Sequence, residues 1–143
     1  MRSSPPFAYG EPVDALIRGL KFHGSLAHAR ILGLLLADAR RPIGALPDVV
    51  VPVQLARGRF AERGFNQAAE IARHAARQLG LPLQPRMLRR IRETEAQSGL
   101  GARERRRNLD GAFAVPEAPP PRVALIDDVL TTGSTAAAAA SAL

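Results

Sequence analysis

Two adjacent carboxylates, Asp127 and Asp128, are followed closely by hydroxyl residues, Thr131, Thr132, Ser134 and Thr135, with Gly133 among them. Hydroxyl donors, and a glycine that lets the backbone come close, are what a phosphate monoester needs around it. The carboxylates would repel that phosphate if they shared its pocket. They must address something else, such as vicinal hydroxyls or a magnesium-bound group. A phosphorylated sugar satisfies both halves.

These groups need elements to position them. Val123-Ala124-Leu125-Ile126 is an uncharged apolar run of strand length just before the acids, and the segment after Ser134 is rich in alanine, the strongest helix former. The order is strand, loop, helix N-terminus. Parallel strands covered on both faces read as continuous apolar runs, and open α/β sheets bind ligands outside the carboxyl ends of their strands. A helix starting near Ser134 adds unpaired N–H groups and a dipole that favours an anion. The plainer alternative is a buried strand ending in a capped helix with the acids merely solvated, and the strand-to-helix context argues against it.

The thirteen residues from Val123 to Thr135 resemble the phosphoribosyl-pyrophosphate (PRPP) motif of type I phosphoribosyltransferases. The resemblance implies that Asp127 and Asp128 bind the ribose 2′- and 3′-hydroxyls and meet Mg²⁺ indirectly, through ribose or water. It also implies that Thr131, Thr132, Gly133, Ser134 and Thr135 hold the 5′-phosphate.

The 143 residues suffice for one domain, 1–143, with a real core, and 46% hydrophobic with 23% charged residues describes a globular chain. Aromatic residues make up only 4%, which supports a site of stacked bases poorly. Cysteine is absent, so disulfides, a cysteine nucleophile and thiolate zinc sites are excluded. His23, His28 and His74 have no metal-binding spacing. A net charge of +7 suits nucleic acid or a polyanionic substrate such as a pyrophosphate ester. Of the 20 basic residues only Lys21 is lysine, leaving 20 − 1 = 19 arginines, partly a compositional bias. No apolar run reaches the ~18–20 residues of a membrane span and no signal-peptide pattern opens the chain, so the expected location is cytoplasmic, with no membrane partner.

In chain order, Pro12 opens a helix with Val13, Leu16, Ile17 and Leu20 on one face, ended by Lys21-Phe22-His23-Gly24. Ser25 caps a second helix to about Arg40, with Leu32, Leu35, Leu36 and Ala39 expected inside. Asp48 to Val53 reads as a buried strand stopped by Pro52. Arg57, Arg59 and Arg63 fall in an expected loop, and a helix runs from about Asn66 to Leu79 with Gly80 as its stop. Leu81 to Pro85 is a connector, Met87 to Ile91 a strand, and residues 93–110 form a mobile basic loop from which Gly111 to Val115 returns as a strand. Alternating helices and short apolar runs predict an α/β fold, a mainly parallel sheet flanked by helices with the mobile loop between two strands.

Eight arginines lie between Arg86 and Arg107. A loop carrying such charge could close over a departing diphosphate and exclude water. The segments Arg63-Gly64-Phe65-Asn66-Gln67, Arg92-x-Thr94-x-x-Gln97-Ser98-Gly99-Leu100 and Arg105-x-x-Asn108-Leu109-x-Gly111-Ala112-Phe113, with Leu20 to Gly24, are similar to recurring segments of the competence protein F family, a phosphoribosyltransferase-like group linked to DNA uptake. By that resemblance Val51-Pro52-Val53-Gln54 is the pyrophosphate loop, with Pro52 and Val53 in contact with substrate. Arg63 assists catalysis, and Arg59, Arg92 and Arg105 contact pyrophosphate. With no cysteine in these residues, the family's four-cysteine zinc-finger-like segment is expected to be missing, as are the fold's later C-terminal strands.

The resemblance implies phosphoribosyl transfer from Mg²⁺-bound PRPP with release of pyrophosphate. The acceptor, a nucleobase or another nucleophile, is open. The alternative is a non-catalytic accessory protein of DNA uptake that binds PRPP, DNA or proteins of the transformation machinery; a homodimer is compatible with either. Glutaminase-driven amidophosphoribosyl transfer is disfavoured, since its usual cysteine nucleophile is missing.

Overall fold

The computed structural model describes residues 10–40, 44–92 and 109–143. Arg105 and the expected mobile loop, apart from Leu109 and Asp110, lie outside these residues.

Helix α1, Val13–His23, starts behind Pro12 and buries Ile17 and Leu20, with Val13 and Leu16 packed beside them, as the spacing predicts. Helix α2, Leu26–Arg40, buries Leu32 and packs Leu36 against the core as expected, and also buries Ala29, Gly33 and Ala37, while Leu35, expected inside, is 37% exposed. Its interface combines Leu32 and Leu36 with small residues that let the neighbouring helix come close. A Cβ on Gly33 would lie 2.6 Å from the Cβ of His74 and 2.7 Å from the carbonyl oxygen of Ile71, so the bare glycine lets the next long helix press directly against α2.

Strand β1, Val49–Pro52, is fully buried. Beyond it comes helix α3, Arg57–Arg63, where a loop was expected. It buries no residue, so no apolar period announced it. Helix α4, Gln67–Leu79, follows, capped by Asn66, and buries Ala68, Ile71, Ala72, Ala75 and Ala76.

Strands β2, Arg89–Arg90, and β3, Phe113–Ala114, pair antiparallel within the two segments read as strands, though each is shorter than expected. Strand β4, Val123–Ile126, lies parallel to β1 with Val49 opposite Val123 and Pro52 opposite Ile126. The chain then enters helix α5, Ser134–Ala142.

The connector Leu81 to Pro85 does more than connect. Leu83 bridges to Val50 in parallel: Val50 N–H donates to Pro82 O (2.9 Å) and Gln84 N–H to Val50 O (2.9 Å). Strand β1 therefore has neighbours on both sides, which explains why it is uniformly apolar.

Strand alternation divides the core. Val50, Ala124 and Ile126 face a cluster built with α1, α2 and α4. Val49, Val51, Val123 and Leu125 face the other way, against Leu88, Leu109, Phe113 and Ala139. The architecture is the expected α/β one, a parallel pair with helices on its two faces. At its start the register is pinned by Arg122, whose backbone N–H and side-chain Nε donate to the Asp48 carboxylate at 3.1 Å each.

Candidate functional site

The acids begin where β4 ends. Ile126 is buried, and its carbonyl accepts from Val53 N–H at 2.9 Å, so the last residue of β4 is tied to the first residue after β1. Asp127 follows, partly buried, with its Oδ1 accepting from the N–H of Asp128 at 2.9 Å. Burial foremost, and then the neighbouring Asp128 charge, push the Asp127 carboxyl up to about 6; that hydrogen bond, Lys21 and Arg90 pull the other way.

Asp128 has a different partner. Its Oδ2 lies 2.8 Å from Nζ of Lys21, and the two side chains are only 15% and 19% exposed. Lys21 is held by α1, whose neighbouring Leu20 is 1% exposed. Sequence reasoning treated Lys21 as part of a helix end. The available signal was compositional, since it is the single lysine among the 20 basic residues.

The hydroxyl loop turns into α5 through Gly133 at φ +72°, a left-handed conformation that a side chain would strain. Ser134 is buried and its Oγ lies 2.8 Å from Oγ1 of Thr132. Ser134 N–H also donates to that Thr132 oxygen at 3.4 Å. Ala137 N–H is taken by Gly133 O at 2.8 Å, the start of the regular ladder. Thr131 and Thr132 are exposed. An anion at this turn would meet the first-turn N–H groups of α5 together with these hydroxyls.

Pro52 and Val53 are core residues. Both are buried, and Val53 has its carbonyl engaged by Asn66 Nδ2 (3.0 Å) as well as its N–H by Ile126. The loop is further held by Gln54, which donates to Pro85 O at 2.7 Å, and by Arg90, which donates to Gln54 O at 3.5 Å. Arg90 also stacks over Phe113, 5.5 Å from the ring centroid. It is a site neighbour that sequence reasoning passed over among many arginines.

Arg63 donates to Gln67 Oε1 at 2.9 Å from the end of α3. With Lys21, Phe22, exposed Arg59, Glu62 and Phe65 it lines a cleft of about 260 Å³. Lys21 thus belongs both to this cationic cleft and to the acid pair. Arg92 is exposed at the hairpin and donates to the Asp110 carbonyl.

Among the described residues no group of three or more His, Cys, Asp or Glu gathers as metal ligands. Magnesium commonly takes one or two carboxylates, keeps waters, and draws its other ligands from substrate phosphates. Two carboxylates, one of them already paired with Lys21, fit an ion delivered with a phosphorylated ligand. Magnesium would supply charge neutralisation of that ligand's phosphates.

Curated proteins under two names align over most of this sequence. Competence protein F of Haemophilus influenzae is 40% identical over 136 residues, 89% of this chain and 59% of that protein. DNA utilization protein YhgH of Escherichia coli K12 is 39% identical over 142 residues, 94% of this chain and 62% of that protein. The chain thus spans about three-fifths of the length of the curated relatives it matches. No family model matches it, and no solved structure does. No helix among the described residues is long and apolar enough to cross a membrane.

Proposed function

We propose that the chain, 40% identical to competence protein F over 89% of its own length, is a PRPP-binding module of a cytoplasmic protein of that family serving DNA uptake or utilisation. The names of its relatives support the second half of this reading. The first half is supported by one observation: the acid pair at the carboxyl end of β4 runs directly into a hydroxyl-rich turn at the N-terminus of α5. Asp127 and Asp128 would accept hydrogen bonds from the ribose hydroxyls. Thr131, Thr132, Gly133, Ser134 and Thr135 would hold the 5′-phosphate, and Arg59 and Arg63 would face the pyrophosphate with Mg²⁺ accompanying it. Val53 could add little beyond scaffolding, because its backbone groups are already paired.

Calorimetry with PRPP and Mg²⁺ tests this. Asp128→Ala should weaken binding at least roughly tenfold, the worth of a hydrogen bond to a charged group. Unchanged affinity would remove Asp128 from the site.

Phosphoribosyl transfer is the second reading. It draws on the Asp127 carboxyl, which at about 6 lies close to the range where a side chain can accept a proton at neutral pH. Pyrophosphate release on adding nucleobases would favour transfer; PRPP binding with no release from any acceptor would favour the accessory role.

A further inference from the structure

We propose that Lys21 is the positioning residue for diol recognition, orienting Asp128 so that one carboxylate oxygen stays open to the sugar. The inference rests on the ribose-phosphate reading above and extends it to a residue of α1.

The contact is one-sided. Nζ of Lys21 meets Oδ2 of Asp128 at 2.8 Å, and Asp128 Oδ1 is not part of that ion pair. A lysine ammonium is a compact point charge that can satisfy one oxygen, whereas a guanidinium presents a planar fork that tends to take both oxygens of a carboxylate. In a chain with 19 arginines (20 basic residues less Lys21), the position facing Asp128 is the one occupied by lysine. Its backbone is fixed, because α1 ends at Gly24 with the Gly24 N–H on Gly19 O, and Leu20 beside it is buried in the helical core. The pair is mostly shielded from water, so its geometry is screened less than that of a surface ion pair. An Asp128 aimed in this way would discriminate between sugars that carry the full set of ring hydroxyls and those lacking one, since a site built around a hydroxyl is left unpaired by the analogue without it.

The experiment compares binding of ribose 5-phosphate and 2-deoxyribose 5-phosphate to the full chain, for wild type, Lys21→Arg and Lys21→Met, with unfolding midpoints measured in parallel. Wild type should favour ribose 5-phosphate by roughly tenfold or more. Lys21→Arg keeps the charge and the fold but should bring the ratio close to one, because its fork covers the oxygen the diol needs. Lys21→Met should also collapse the ratio. If wild type binds neither sugar phosphate, the ribose-phosphate reading itself fails. If wild type discriminates and Lys21→Arg discriminates equally well, Lys21 serves only as a structural cation and this inference is overturned. Discrimination retained by Lys21→Met overturns it too.

Discussion

Asp127 and Asp128 are adjacent in sequence and opposite in circumstance. Asp128 shares its charge with Lys21 at 2.8 Å, whereas Asp127 is raised from 3.8 to about 6, chiefly by burial and then by Asp128. Asp127 therefore binds a proton more tightly when folded than when unfolded. Its contribution to stability is fully present below 3.8, falls as pH rises to about 6, and is flat above that. Keeping that carboxyl charged in the folded chain at neutral pH therefore costs on the order of a few kcal/mol. Asp127→Asn should raise stability at pH 7 by a sizeable part of that amount and flatten the pH dependence between about 4 and 6. Urea unfolding across this range is the measurement; an Asp127→Asn protein whose stability still falls as steeply as wild type would mean the carboxyl is not desolvated. A stabilising substitution at a site residue is what stability traded for function looks like.

Among the elements, the junction of β1 and α4 is held by one side chain. Asn66 is 8% exposed; its Oδ1 accepts from the N–H groups of Ala68 (3.0 Å) and Ala69 (3.4 Å), and its Nδ2 donates to Val53 O. Asn66→Ala should lose a helix cap, about 0.5–2 kcal/mol, and leave a buried carbonyl unpaired, about 1–3 kcal/mol. Asn66→Asp keeps the cap but turns an acceptor toward that carbonyl. Thermal unfolding should therefore rank wild type above both variants, and an Asn66→Asp protein as stable as wild type would reduce the residue to a cap. The sequence made α4 legible through Asn66, Gly80 and the alanine stripe between them, and β4 through its apolar run. It hid α3, which buries nothing. On α2 it pointed correctly to Leu32 and Leu36 but misplaced Leu35 and passed over Gly33, where the shape of the neighbouring helix makes a bare backbone the contact. The parallel bridge of Leu83 was obscured by flanking Pro82 and Pro85, which read as connector. The acid pair and hydroxyl turn could be seen because they are contiguous; Lys21 and Arg90 could not, because only folding brings α1 and the hairpin to them.

At the scale of the molecule, the alternation of β1 and β4 sends two sets of side chains into two different environments. One set packs on α1, α2 and α4. The other packs on the hairpin residues Leu88, Leu109 and Phe113 and on Ala139 of α5. The candidate site draws on both sides, since Lys21 comes from the first layer, Arg90 from the hairpin and the hydroxyl turn from the start of α5. Its geometry therefore requires the two layers to fold as one cooperative unit. Leu20, 1% exposed, and Leu88, fully buried, probe the layers separately. Truncating either to alanine removes buried methyl groups and leaves a cavity, costing about 2–5 kcal/mol. If the layers are coupled, Leu20→Ala and Leu88→Ala each shift a single transition, seen at the same midpoint by far-UV circular dichroism and by calorimetry. Two separated transitions, each sensitive to only one substitution, would show that the faces of the sheet unfold independently. In that case the acids and the hydroxyl turn could not be presented as one rigid site, and PRPP would find no preformed place to bind.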